Sequence, residues 1–227
     1  MLMILSGGGG AAKNPAAYEL FCSNVNKHRP VLYIPFASAP ESFNDNYAKF
    51  ALSMANQGVY STILCKDTNF FRTFGTDEIG GIYCAGGNTF RLLKLLRESG
   101  GVEWIKKYLH EGGVYIGSSA GAIIGGADIM PIIYMDANAV VLRDTRGMDM
   151  MDGYSTIAHY GDSASEFKNN EWAAAVGQLA GEYDRLVALS EESAIVITET
   201  KKYIIGEPCR VYLDGKPAEV GSGCELP

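Results

Sequence analysis

The segment Val114-Tyr115-Ile116-Gly117-Ser118-Ser119-Ala120-Gly121-Ala122 leaves this chain few folds to choose from. A β-favouring apolar run meets Gly-x-Ser-x-Gly and then small, helix-tolerant residues, so a strand must turn sharply into a helix. Gly117 and Gly121 fit because such a turn brings strand and helix closer than a Cβ allows. The turn exposes its central residue, Ser119, and directs Ser118 back into the packing. The helix beyond starts with unpaired backbone N–H groups, which can stabilise negative charge beside that hydroxyl.

The rest of the chain supplies a fold around this turn. Strand-like runs at Leu2–Leu5, Val31–Phe36, Ser61–Cys65, Gly81–Cys84 and Val114–Gly117 alternate with helix-like stretches at Pro15–Asn26, Pro40–Asn56, Asn88–Ser99 and Val102–Glu111. Short, solidly apolar strands separated by helices predict a parallel sheet covered on both faces. Three glycine-rich loops fall at strand carboxyl ends, where open α/β sheets bind ligands. They are Ser6–Gly10, Ala85–Thr89 and the Ser119 turn. Later strand-like runs lie at Ala139–Leu142, Leu186–Leu189, Ala194–Thr198 and Tyr203–Ile205, with a polar helix candidate at Ser165–Gly181. Asp214-Gly215 between apolar residues predicts a hairpin. Residues 1–227 read as one domain with a C-terminal hairpin extension from about 203 to 227.

Composition narrows the function. A net charge of −7 without a Lys/Arg cluster argues against a nucleic-acid partner, and no run approaches the length of a membrane span. The start, Met1-Leu2-Met3-Ile4-Leu5, lacks the basic flank of a signal peptide and reads as a first strand. Cys22, Cys65, Cys84, Cys209 and Cys224 are odd in number and scattered, which suits small core residues of a reduced, cytoplasmic protein. Three histidines without metal-type spacing imply no metal site, and nothing calls for a cofactor. The glycine-rich start is not a phosphate loop, since Ala12-Lys13-Asn14 stands where Gly-Lys-Ser/Thr is required. A homodimer is left open.

A serine hydroxyl on such a turn needs a base, and the base needs an orienting acid. His28 lies in a basic surface turn, and His110 ends a charged helix beside Glu111. His159 sits in an apolar setting, Ile157-Ala158-His159-Tyr160-Gly161, and is the candidate base. For the acid, Glu191 follows the Leu186–Leu189 strand, with Glu192 beside it in a turn. Asp128 is the main competitor, and Asp152 and Asp162 are others. Ordinary α/β-hydrolases run serine, acid, histidine, with the histidine near the C-terminus. No histidine follows His159, so the order points to a different group.

Four blocks resemble the peptidase E (aspartyl dipeptidase) family of serine peptidases, whose relatives include cyanophycinase. They are Leu5-Ser6-Gly7-Gly8-Gly9, Ala85-Gly86-Gly87-Asn88-Thr89 with its leucine-rich helix, Gly117-Ser118-Ser119-Ala120-Gly121-Ala122, and Ala158-His159-Tyr160. The likeness runs in order over roughly residues 1–200. It implies a class I glutamine amidotransferase-like fold, a three-layer α/β sandwich with a mostly parallel sheet. It also implies Ser119 as nucleophile, His159 as base and Glu191 as acid. The backbone N–H groups of Gly87 and Ala120 would form an oxyanion hole, with Gly86 and Asn88 on the same substrate-binding loop. The implied activity is hydrolysis of small peptides, dipeptides with N-terminal aspartate first among them, through an acyl-enzyme. The alternatives are a cyanophycinase-like or isoaspartyl peptide hydrolase, and a non-catalytic amidotransferase-like binding module. An aspartyl side chain calls for a cationic partner, for which Arg91, Arg143, Arg146 and Lys13 are candidates.

Overall fold

The computed structural model describes residues 1–161 and 175–227. Its first half alternates β1 (Leu2–Ser6), α1 (Gly10–Lys13), α2 (Pro15–Asn24), β2 (Val31–Ile34), α3 (Phe43–Asn56), β3 (Thr62–Leu64), α4 (Phe70–Thr73), β4 (Gly81–Cys84), α5 (Thr89–Ser99), α6 (Gly101–His110), β5 (Val114–Ser118) and α7 (Ala120–Ile123). Its second half adds β6 (Ser155–Ile157), β7 (Arg185–Ala188), β8 (Ser193–Ile197), β9 (Lys202–Gly206), β10 (Cys209–Leu213) and β11 (Lys216–Val220). Two helix starts have a plain local cause. Pro15 opens α2, where a missing N–H costs nothing, and Asn14 Oδ1 accepts the Ala17 N–H at 3.1 Å. Asn88 Oδ1 caps α5 in the same way, accepting the Arg91 N–H at 2.9 Å.

Seven strands form one sheet in the order β3-β2-β4-β5-β1-β8-β9. The four pairings among its first five strands are parallel, and the two that join β8 and β9 are antiparallel. Side chains alternate between its faces. Ile4, Val31, Tyr33 and Ile116 pack with α2 and α3 on one face. Met3, Leu5, Leu32, Ile34 and Tyr115 pack with α5, α6 and α7 on the other. The result is the expected three-layer α/β sandwich with a mostly parallel sheet.

The late strands do more than extend that sheet. A second sheet runs β11-β10-β7-β6, and its buried Leu186, Val187, Ala188 and Val211 join the core on the α5 side. Within it, β6 and β7 are parallel, with Ile157 opposite Ala188. β9, carrying residues 203–206, belongs to the first sheet, while β10 and β11 form the hairpin around Asp214 and Gly215, both at positive φ (49° and 74°). The expected strand at Ala139–Leu142 is instead a turn, with Val141 at φ 53°. Asn138 closes it by accepting the Leu142 N–H (2.8 Å) and donating to the Leu142 carbonyl (2.9 Å). Those bonds satisfy backbone groups that a neighbouring strand would otherwise take. Of the helix expected over Ser165–Gly181, residues 175–179 are helical, and the portion before 175 lies outside the described residues, as does Asp162.

Candidate active site

The site lies where β4, β5 and β1 end side by side, with β5 in the middle. Ser119 follows β5 with φ 52° and ψ −111°, a conformation that costs a non-glycine residue on the order of 1–3 kcal/mol. The surroundings hold it there. The Ser119 N–H donates to the Ser6 carbonyl of β1 (3.0 Å), and the Ser119 carbonyl accepts from Ala122 (2.8 Å) and Ile123 (2.9 Å) at the start of α7. The Tyr115 hydroxyl, fully buried below the turn, donates to the Gly121 carbonyl at 2.6 Å. A Cβ on Gly117 would lie 2.2 Å from the Gly121 oxygen, and one on Gly121 would lie 2.2 Å from the Cys84 oxygen. Both glycines are therefore required by the close approach of strand and helix.

Ser118 points the other way. It is 6% exposed, and its hydroxyl approaches Tyr18 and Tyr83, whose phenol oxygens lie 2.9 Å apart. Burial pushes both phenols above their ordinary range, so this cluster stays neutral beneath the turn.

The parallel register of β6 and β7 brings the other two groups together. His159 lies two residues past β6, and Glu191 three past β7. Backbone bonds continue the pairing, from Leu189 N–H to the Ile157 carbonyl (2.8 Å) and from Tyr160 N–H to the Leu189 carbonyl (2.8 Å). The His159 N–H donates to the Gly7 carbonyl at 3.1 Å, which fastens the end of the second sheet to the end of β1. Positive φ (57°) at His159 turns its ring toward β5. His159 Nε2 then lies 2.8 Å from Ser119 Oγ, and His159 Nδ1 lies 2.9 Å from Glu191 Oε1. The histidine and glutamate side chains are 26% and 16% exposed. A proton can pass from hydroxyl to imidazole while the carboxylate holds the ring.

The other candidates lie elsewhere. Asp128 Oδ1 accepts the Met130 N–H at 2.7 Å, and the Asp152 carboxylate pairs with Lys202. Glu192 pairs with Lys13 at 3.1 Å. His110 Nδ1 meets the Lys106 carbonyl (2.7 Å), and His28 is exposed. Among the described residues, no group of three or more His, Cys, Asp and Glu side chains is placed to hold a metal ion.

The glycine-rich start, weak as a motif, shapes the histidine's place. A Cβ on Gly8 (φ 134°) would fall 2.4 Å from His159 Cε1. On the opposite flank, a Cβ on Gly86 would lie 3.2 Å from that of Ser119, so the loop after β4 passes close over the serine. Ala120 is the first residue of α7, whose N–H has no partner within the helix. Asn88, besides capping α5, donates through Nδ2 to the Ala137 carbonyl at 2.9 Å.

Beside Ser119 and His159 opens a cavity of about 230 Å³, lined further by Gly87, Ile123, Ile132, Met135 and Asp136. Asp136 was not among the residues anticipated, because no motif surrounds it. None of the four cations suggested for an aspartyl side chain is on this described wall: Arg146 pairs with Asp144 (2.7 Å) in a separate cleft, and Lys13 pairs with Glu192.

A strained turn serine, linked through an imidazole to a carboxylate on an α/β sandwich, defines a serine-type hydrolase. The chain belongs to peptidase family S51, whose family model matches residues 2–205. An uncharacterised peptidase of Pasteurella multocida (strain Pm70) is 32% identical over 145 residues, 62% of this chain and 69% of that protein. Peptidase E of Escherichia coli O6:K15:H31 is 31% identical over 136 residues, 60% of this chain. The match spans 56% of that relative's length. Among solved structures, a candidate peptidase E protein from Listeria monocytogenes EGD-e superposes with a TM-score of 0.70 at 25% identity, covering 90% of this chain and 98% of its own. A peptidase from an acI-B1 Actinobacterium gives 0.76 at 18% identity over 99% and 96%, a likeness of fold. The fold is thus that of peptidase E-type proteins, consistent with the class I glutamine amidotransferase-like architecture.

Proposed function

We propose that the chain hydrolyses small peptides through an acyl-enzyme formed on Ser119. Ser119 Oγ attacks the scissile carbonyl carbon as His159 Nε2 takes its proton, and the bond from carbon to leaving nitrogen breaks as His159 returns that proton to the amine. Water, deprotonated by the same imidazole, then releases the acyl group. Glu191 holds the His159 ring and stabilises its charged form. The Gly87 and Ala120 N–H groups receive the oxyanion. The single observation that carries this reading is the unbroken chain Ser119 Oγ–His159 Nε2, His159 Nδ1–Glu191 Oε1 at 2.8 and 2.9 Å.

The small cavity supports a short substrate over a long polypeptide. A dipeptide with N-terminal aspartate is the substrate we put first, on the strength of the likeness to peptidase E. Initial rates on Asp-Leu, Asn-Leu, Ala-Leu and β-linked Asp-Leu test it. Fastest cleavage of Asp-Leu supports the aspartyl preference, and cleavage confined to the β-linked isomer refutes it in favour of an isoaspartyl hydrolase. We place the protein in the cytoplasm, a reading supported by five cysteines that are all free thiols.

A further inference from the structure

The described wall of the cavity beside Ser119 carries one carboxylate, that of Asp136, and no lysine or arginine. This carboxylate is built in firmly. The turn Met130–Tyr134 delivers it, with the Met135 and Asp136 N–H groups both donating to the Ile132 carbonyl (2.8 and 2.9 Å). Asp136 Oδ2 accepts the N–H of Thr89, the first residue of α5, at 2.7 Å. The Asn88 amide holds the next residue, Ala137, by its carbonyl. Asp136 is thus clamped to the start of α5, beside the loop that carries Gly87, on the wall of the cavity that Ser119 and His159 share.

That placement has no use in holding the histidine, because Glu191 already occupies Nδ1. It does suit a cation. A carboxylate has about four acceptor positions, and the Thr89 N–H takes one of them. The α5 N-terminus also favours a negative charge there. In a peptide cut at its first bond, the α-ammonium nitrogen lies about 2.5 Å from the carbonyl carbon under attack. With that carbon at Ser119, the ammonium falls inside the same cavity of about 230 Å³.

We infer that Asp136 receives the α-ammonium of the substrate's first residue and so determines specificity, confining cleavage to the first bond of peptides with a free N-terminus. This rests on the peptidase reading above. Acetylating the amine removes its charge and two of its three donors and adds bulk. A charged hydrogen bond of this kind is worth roughly 10- to 100-fold in affinity.

Binding without turnover tests it. Calorimetry on Ser119→Ala should show Asp-Leu and Ala-Leu each binding at least tenfold more tightly than their N-acetyl forms. In Ser119→Ala/Asp136→Asn the gap should shrink to within about threefold, since the asparagine oxygen can still accept the Thr89 N–H. Equal binding of free and acetylated dipeptides to Ser119→Ala, or a gap that survives Asp136→Asn, would overturn the inference. If the double variant fails to fold, Ser119→Ala/Asp136→Ser takes its place, with the same threefold limit on the remaining gap. Failure of the peptidase reading is seen separately, as absence of fluorophosphonate labelling of the native enzyme.

Discussion

Glu191 Oε1 sits 2.9 Å from His159 Nδ1, although 32 residues separate the two in sequence. They meet because β6 and β7 run parallel and end together, and because the Gly7 carbonyl holds the His159 backbone over the end of β1. Glu191→Gln keeps this shape but favours the wrong imidazole tautomer. It should lower kcat by about 10⁴, as the analogous change does in another triad. Asp128→Asn, at a carboxylate that accepts the Met130 N–H and makes no bond to the ring, should leave kcat within twofold. Steady-state kinetics of the two variants side by side check the assignment, and the reverse ranking would move the acid to Asp128.

Gly8 is the residue whose replacement should disturb His159 most directly. In Gly8→Ala the new methyl would have to sit 2.4 Å from the ring's Cε1, on a backbone at φ 134°. We expect kcat/KM to fall at least 100-fold, with a loss of about 1–3 kcal/mol in stability. Gly100→Ala is the contrast: φ is 76° there, but no atom lies within 4 Å of the added Cβ. It should cost about 1 kcal/mol in denaturant unfolding and leave turnover unchanged. Equal activity in both variants would show that the Gly8 contact does not matter.

The buried thiols set an alkaline limit on stability. Burial pushes Cys84 and Cys209 each up to about 12 from an ordinary 9.0. The folded protein therefore keeps these protons where the unfolded chain releases them. Their contribution is complete below pH 9 and is lost as pH rises from 9 toward 12, by at most about 1.4 kcal/mol per pH unit for each thiol. Melting temperature should fall across that window, and the fall should be shallower in Cys209→Ala once its different starting stability is allowed for. A slope identical to the native protein's would count against this origin.

The same burial predicts thiol reactivity. Cys22, Cys65, Cys84 and Cys209 are buried and Cys224 is exposed. A disulfide reagent at pH 8 should titrate one thiol in the native protein and five in denaturant. Cys224→Ser should remove the native signal, and a residual fast thiol would mean that one of the four opens readily.

Legibility in the sequence followed distance along the chain. The turn at Ser119 was readable because Gly117 and Gly121 are four residues apart and each clashes with a backbone carbonyl if given a Cβ. The alternating strands and helices were readable from apolar runs and from caps such as Asn14-Pro15 and Asn88. His159 and Glu191 could be named, by elimination and by resemblance, but the reason they meet lies in a second sheet that no local pattern displayed. Gly8 looked like part of a weak glycine run because its task is to leave space for a side chain about 150 residues away. Asp136 acquires meaning only beside the start of α5. Ala139–Leu142 misled because β-branched residues there mimic a strand, while Asn138 folds them into a turn.

Covalent labelling of the native protein with a fluorophosphonate, followed by peptide mass spectrometry, tests the reactivity of Ser119 most directly. The adduct should map to Ser119, vanish in Ser119→Ala, and form in Ser118→Ala, since Ser118 is buried against Tyr18 and Tyr83. His159→Ala should label at least 100-fold more slowly, while His28→Ala and His110→Ala label at the native rate. A native protein that remains unlabelled, or an adduct on Ser118 with Ser119→Ala still active, would contradict a Ser119 nucleophile driven by His159.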